Sequence, residues 1–185
     1  MTGNFVADSL ADAALACGAR RAAGLAGEAL ALDASFRDAC AQNACGTYGR
    51  CWMCPPDVGG IHELMARVRE YPHAVLYQTV AALADSFDWE GMQEAGAEHL
   101  RVSRRLDARL RDMLPGGFLH LTRGGCGGCE VCAKIDGLPC RSPDAALASM
   151  EGCGIDVCRT ARAAGMPYIN GPNTVTYFGI VLYGK

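Results

Sequence analysis

Strong charge of either sign is missing from this chain. Lys and Arg together number 17 against 20 Asp and Glu, which leaves a net charge of −3. So even a balance gives no basic field for a nucleic-acid backbone or an anionic membrane surface. Long apolar runs are absent too. None approaches the roughly 18 unbroken apolar residues that a membrane span requires. The first stretch, MTGNFVADSLADAALACG, has neither the basic start nor the long apolar segment of a secretory signal. The expected setting is therefore the cytoplasm, where thiols stay reduced and disulfides are rare. Common catalytic signatures are also lacking. No Gly-Lys-Ser/Thr closes a phosphate loop, no Gly-x-Ser-x-Gly presents a serine, and no His-Glu-x-x-His marks a zinc helix. Tandem repeats and low-complexity linkers are missing, and 185 residues suit one domain over 1–185. A chain of this size buries about 70% of its unfolded surface, so it can build a core without metal.

Cysteine is what the chain has in excess: eleven residues, an odd number. Reduced and grouped thiols point to metal. The densest group is Gly124 to Cys140, GGCGGCEVCAKIDGLPC. Cys126, Cys129 and Cys132 follow each other at two-residue spacing, and Cys140 comes seven residues later. A loop that turns back every three residues aims its sulfurs at one centre, and the flanking glycines make that turn cheap. The spacing is close to the bacterial iron–sulfur run, departing from it in the longer gap before the fourth cysteine. A zinc knuckle or a set of reduced structural thiols are the competing readings.

A second group lies in Asp33 to Pro56, where Cys40, Cys45, Cys51 and Cys54 stand at four-, five- and two-residue spacings. Asn43, Gly46, Tyr48 and Gly49 break any regular period, so the segment reads as a loop that wraps something. Pro55 follows Cys54 at once, as proline follows the last cysteine of the ferredoxin run. Tyr48 and Trp52 serve either as covers for a cluster or as loop anchors. Cys17 reads as a lone buried thiol, and Cys153 and Cys158 as buried thiols or spare ligands.

Regular elements surround the two groups. Residues 3–16 predict an amphipathic helix with Phe5, Leu10, Ala13 and Leu15 on its apolar side. Residues 19–33 fit two short strands or more helix. A helix is expected over Ile61 to Tyr71, stopped by Pro72, and a strand over His73 to Val80. Asp85 to Asp88 offer caps for a long helix reaching Leu114. Its apolar stripe is Met92, Ala95, His99, Val102, Leu106, Leu110 and Met113. His99 in that stripe reads as a buried, hydrogen-bonded histidine rather than a ligand. The arginines between, Arg101, Arg104, Arg105, Arg109 and Arg111, read as a solvated face paired with Glu94, Glu98, Asp107 and Asp112. Phe118 to Thr122 predicts a strand feeding the second cysteine loop. Ser142-Pro143-Asp144 looks like the start of a helix running to Glu151. Asp156 should cap another that ends near Gly165. Thr174 to Tyr183 is the most strand-like run and is apolar enough to lie inside a sheet. The expected fold is mixed α+β: a small central sheet flanked by helices, with the two cysteine-rich metal-binding loops at one edge.

With both loops read, the chain resembles a family of small predicted metal-binding proteins of anaerobic bacteria and archaea, known as a domain of unknown function. The resemblance rests on Cys40-Ala-Gln-Asn-Ala-Cys45-Gly-Thr-Tyr48-Gly49 and Trp52-Met-Cys54-Pro55-Pro56 in the first loop. In the second region it rests on Cys129-Glu-Val-Cys132, Pro139-Cys140-Arg141-Ser-Pro143, Ser149-Met-Glu151 and Gly154-Ile155-Asp156-Val157. It covers most of residues 36 to 157. The resemblance implies metal binding through cysteine, of iron–sulfur type, and implies no reaction. Cys51 stands where that family is expected to vary, which leaves Cys40, Cys45 and Cys54 as the firm ligands of the first loop.

Eight thiols divide as four and four, which fits two [4Fe–4S] clusters, with exchange of ligands between loops allowed. Three functions follow as expectations. One is an electron-transfer or redox accessory protein with a redox partner protein. Another is an enzyme using an open-site cluster on a small molecule, with Lys134, Arg141, Glu151 and Asp156 as polar candidates near the second loop. The third is a zinc-stabilised interaction module, which the long separation of Cys54 from Cys129 disfavours.

Overall fold

The computed structural model describes residues 2–185, with side chains described from Phe5 onward. Its centre is β5, Thr174–Tyr183, a ten-residue strand. β2, His73–Ala82, pairs with it antiparallel along its whole length, with Tyr77 opposite Gly179. β3, Phe118–Thr122, pairs antiparallel on the other side. β1, Arg21–Ala26, adds to β2, and β4, Ala148–Ser149, adds in parallel to β3. The five-stranded order is β1-β2-β5-β3-β4.

Both faces of the inner strands are covered, which explains the unbroken apolar run of β5. Val75 and Tyr77 of β2, with Val181 and Tyr183 of β5, pack under two helices. These are α1, Thr2–Ala16, and α4, Trp89–Met113. Leu76, Ile180 and Leu182 point the other way, into a second core with Leu30, Val68, Tyr71, Met150 and Ile155. That side carries α3, Ile61–Arg69, and α5, Val157–Ala163. Asp88 caps α4 by accepting from the Gly91 amide, and Asp156 caps α5 by accepting from the Arg159 amide. No helix among the described residues is long and apolar enough to cross a membrane.

Several expectations are corrected. The helix expected from Ser142 to Glu151 does not form. Ser142 caps nothing, a 3-10 turn covers Pro143–Ala145, and the chain then enters β4. Register pairing of Leu121 with Ala148 and Thr122 with Ser149 overrides the local helical signal. Conversely, a short helix α2, Phe36–Ala41, lies inside the segment expected to be irregular. Of the 19–33 alternatives, the chain takes one strand, a 3-10 turn over Gly27–Ala29, and a single bridge from Leu32 to Ile155. On α1, Leu10 and Ala13 are buried, whereas Phe5 and Leu15 face solvent. The buried line continues through Ala14 and Cys17 instead, because α1 rests on α4 and the sheet by its small residues.

Between α4 and the sheet runs a buried polar chain. Asp107 Oδ1 lies 3.1 Å from His120 Nδ1, and His120 Nε2 lies 2.8 Å from the Tyr77 hydroxyl. That hydroxyl donates to Ser103 Oγ at 2.7 Å, and Ser103 Oγ lies 3.0 Å from Thr122 Oγ1. Tyr77 is fully buried, and burial raises its pKa above the usual phenol range. Gly179 makes room for it: a Cβ there would stand 2.2 Å from the Tyr77 hydroxyl and ring. Gly179→Ala must therefore move Tyr77 off its partners. It is expected to lower stability by about 1–3 kcal/mol, read as a drop in melting temperature of about 3–10 °C. An unchanged melt would show that Tyr77 relocates freely.

Candidate metal centre

Both cysteine segments gather at the rim of the sheet where β3 and β4 end and β5 begins. The second leaves β3 through Arg123 and Gly124. Its glycines let it press on α4. A Cβ on Gly127 would meet Leu100 Cδ1 at 2.5 Å, and one on Gly128 would meet Arg104 Nη2 at 2.7 Å. Gly127 also has a φ of 58°, a left-handed conformation that side chains disfavour. Arg104 uses this proximity: its Nη2 donates to the Cys126 carbonyl at 3.0 Å and lies 3.6 Å from Cys126 Sγ. Arg104 thus leaves the solvated arginine face expected from the sequence. Arg101 and Arg105 do pair with Glu98, and Arg111 with Asp107.

The first segment is tied down by side chains on both sides of it. Asn43 Oδ1 accepts from the Tyr48 amide, and the Gly49 amide donates to the Pro55 carbonyl. Arg37 of α2 donates to the carbonyls of Gly59 and Gly152. Trp52 is an anchor: its Nε1 donates to the Leu138 carbonyl of the second loop, at 2.9 Å. Lys134 sits 4.2 Å over the Trp52 ring and pairs with Asp57. Of the other polar candidates, Arg141 donates to the Val131 carbonyl and Asp156 is a helix cap. Those three have structural work. Glu151 does not, and it lines a cavity instead.

Thiols from the two segments come together across this joint. All eleven cysteines are free. Cys51 and Cys54 are buried, Cys40, Cys126, Cys132 and Cys140 are half-buried, and Cys45 and Cys129 are exposed. Cys51 faces Cys54 on its own loop and Cys126 and Cys132 on the other. Its pKa falls to about 5, chiefly through hydrogen bonding with Cys54, assisted by the Cys126 backbone and the Cys132 thiol and opposed by burial. Cys54 moves the opposite way, held protonated by its bond with Cys51 and by burial. Thr47 Oγ1 lies 3.1 Å from Cys45 Sγ and 3.4 Å from Cys54 Sγ. Cys40, Cys45 and Cys54 line one wall of a cavity of about 430 Å³. Among the described residues, no three His, Cys, Asp or Glu side chains close on a point the size of a single ion.

The remaining cysteines stand apart from this joint. Cys17 is buried, with its carbonyl accepting from Arg105. Cys153 is buried and its thiol is pushed up to about 11 by desolvation, while Cys158 is half-buried on α5.

The sequence profile of a family of predicted metal-binding proteins matches residues 24–183, which takes in both cysteine segments and all of the sheet but the first half of β1. The chain belongs to the DUF2284 family. No curated protein and no solved structure matches it. Membership in DUF2284 makes the chain a predicted metal-binding protein, and the joint between its two cysteine segments is where its thiols are concentrated.

Arg123 is the functional candidate that the sequence reading passed over. It lines the cavity with Glu151, its Cζ lies 4.9 Å over the Tyr177 ring, and its buried Nε has no partner among the described residues. The only signal in the sequence was its position at the end of a strand entering a cysteine loop. Glu151 is only partly buried, yet desolvation pushes its carboxyl above the usual range, against the nearby charge of Arg123.

Proposed function

We propose that this protein holds two [4Fe–4S] clusters and works in electron transfer or as a redox accessory to a partner protein. One observation carries the reading. Two cysteine segments about seventy residues apart in the chain pack so that Cys51, beside Cys54, lies against the Cys126 backbone and the Cys132 thiol. The donor set is entirely thiol, the class that suits iron–sulfur clusters. Cys40, Cys45 and Cys54 would hold one cluster, and Cys126, Cys129, Cys132 and Cys140 the other, with Cys51 between them. Bound there, the clusters would supply one-electron chemistry at two neighbouring centres. The protein's own part is to set their environment. Arg104 places a charged donor at Cys126, and such donors are among the factors that set cluster potential. Exposed Val131, Ile135 and Leu138 around the second loop give a redox partner an apolar rim to meet. A cytoplasmic setting, with reduced thiols, fits the same reading.

A second reading has its own observation. Cys51 turns toward the second loop, which leaves three thiols on the cavity wall. A first cluster with three protein ligands keeps one position open for a small molecule, so the protein would be an enzyme at that centre. Zinc in a structural module is the remaining outcome.

Anaerobic purification with iron, sulfide and zinc analysis separates these. Two cubanes predict about eight iron and eight sulfide per chain. Stoichiometric zinc without acid-labile sulfide would overturn the iron–sulfur proposal.

A further inference from the structure

The cavity beside Cys40, Cys45 and Cys54 has a chemical character of its own. Its volume of about 430 Å³ lies within the range of about 300–1,000 Å³ typical of small-molecule sites. Its body is apolar and aromatic, from Phe36, Tyr168, Tyr177 and Phe178 among others. Tyr168 and Phe178 stack at 5.7 Å with planes only 9° apart, which makes a flat wall. The cation on that lining is Arg123.

Arg123 is placed as a ligand-binding arginine is placed. Its guanidinium lies across the Tyr177 ring and against Gly96, where a Cβ would come within 2.5 Å of Nη2. Glycine at 96 and the ring at 177 therefore hold the group flat in one position. Its Nε is buried without a partner. No carboxylate forms an ion pair with it among the described residues, Glu151 on the same cavity included. Arg123 is half-buried, and an orphaned Nε on a guanidinium without a carboxylate partner is costly unless something else meets the group.

We infer that this cavity binds a small carboxylic acid with an aromatic or apolar body, its carboxylate on Arg123 and its body against Tyr168, Tyr177 and Phe178. The planar guanidinium fork matches a carboxylate in two parallel hydrogen bonds, while the aromatic walls take the rest of the molecule. The acid would lie beside the three thiols of the first loop. This deepens the open-site reading by naming its ligand class, while the pocket itself does not depend on which metal is present.

The test is calorimetric titration of the anaerobically purified, metal-loaded protein with benzoate and with benzamide, its neutral near-isostere. Benzoate should bind at least about tenfold more tightly than benzamide, as expected for charge-assisted bonds to a carboxylate. Arg123→Gln should bring benzoate down to the benzamide level and leave benzamide within about twofold. Arg123→Lys keeps the charge but loses the fork, and should fall between the two. Absence of benzoate binding, equal binding of the two probes by the natural protein, or unchanged benzoate affinity in a folded Arg123→Gln protein would each overturn the inference. The comparison of the two probes needs no variant, so misfolding of one cannot leave the matter open. Metal and sulfide analysis of the same samples keeps the outcomes apart. Loss of the iron–sulfur reading shows there, whatever the benzoate result.

Discussion

Cys132→Ser is expected to remove about half of the iron and acid-labile sulfide from the protein, together with the visible absorption of one centre. The reasoning is positional. Cys132 stands in the tightest cysteine run of the chain, and its thiol reaches the Cys51 thiol across the joint. A serine hydroxyl is a hard, weakly acidic donor and replaces a soft thiolate poorly. The fold should persist, because neither apolar core draws on the Gly124–Cys140 loop. Helix and strand content by circular dichroism should therefore stay near that of the natural protein while metal analysis falls. Cys132→Ala removes the residual oxygen donor and should give the same loss. A full iron complement in both variants would remove Cys132 from the ligand set.

Acid should lower the stability of this protein through His99 before its paired carboxylates respond. His99 is fully enclosed between α4 and the sheet, stacked on Tyr77 at 5.6 Å, with Nδ1 2.9 Å from Thr79 Oγ1. The sequence stripe marked it as buried and hydrogen-bonded, which holds through Nδ1, while Nε2 has no hydrogen-bond partner among the described residues. Burial, joined by the charge of Arg123 and by His120, lowers its pKa from 6.5 to about 3. The sign follows from linkage. Above about pH 6.5 neither state carries the proton, and the contribution is complete. Below it the unfolded chain takes up a proton that the native state refuses. Stability then falls by about 1.4 kcal/mol per pH unit until the folded pKa is reached. Two units, from about 6.5 to 4.5, cost about 2 kcal/mol, a large share of a typical total of about 5–15 kcal/mol. Glu151, whose carboxyl is raised by burial, acts in the opposite direction. The clean readout is thus the difference between natural protein and His99→Gln in denaturant titrations at several pH values. The variant should be less stable at neutral pH and show a flatter acid slope. Equal slopes would show that His99 is protonated in the native state.

The sequence was legible where local and tertiary preferences agreed. β5 was readable to its ends because its second half is buried on both faces and its first half is partly covered, so nearly every position is apolar or β-forming. α4 was readable because Asp88 caps it and Leu106 and Leu110 recur on one face. Met113, expected in the same stripe, is exposed, since the helix ends just beyond the sheet it packs on. The segment from Ser142 was misread because its helix-start residues are outweighed by two backbone pairings to β3. Short segments have weak periodicity, and a neighbouring strand decides them.

The amino-acid sequence by itself determined that the thiols come in two groups, that the fold is α+β, and that the family is one of predicted metal-binding proteins. Spacing along the chain carries the grouping, because cysteines two residues apart stay close in almost any loop; apolar patterning carries the fold class, and the resemblance of the two cysteine motifs carries the family. The sequence could not say that Cys51, while keeping Cys54 as its chief partner, also faces Cys126 and Cys132 of the other loop. Nor could it place Arg123 and Glu151 on one cavity with Cys40, Cys45 and Cys54. Those neighbours come from α2, β3, the turn after β4 and a loop between them. Only the closing of the sheet, with β3 beside β5 and β4 beside β3, brings such distant segments to a common rim.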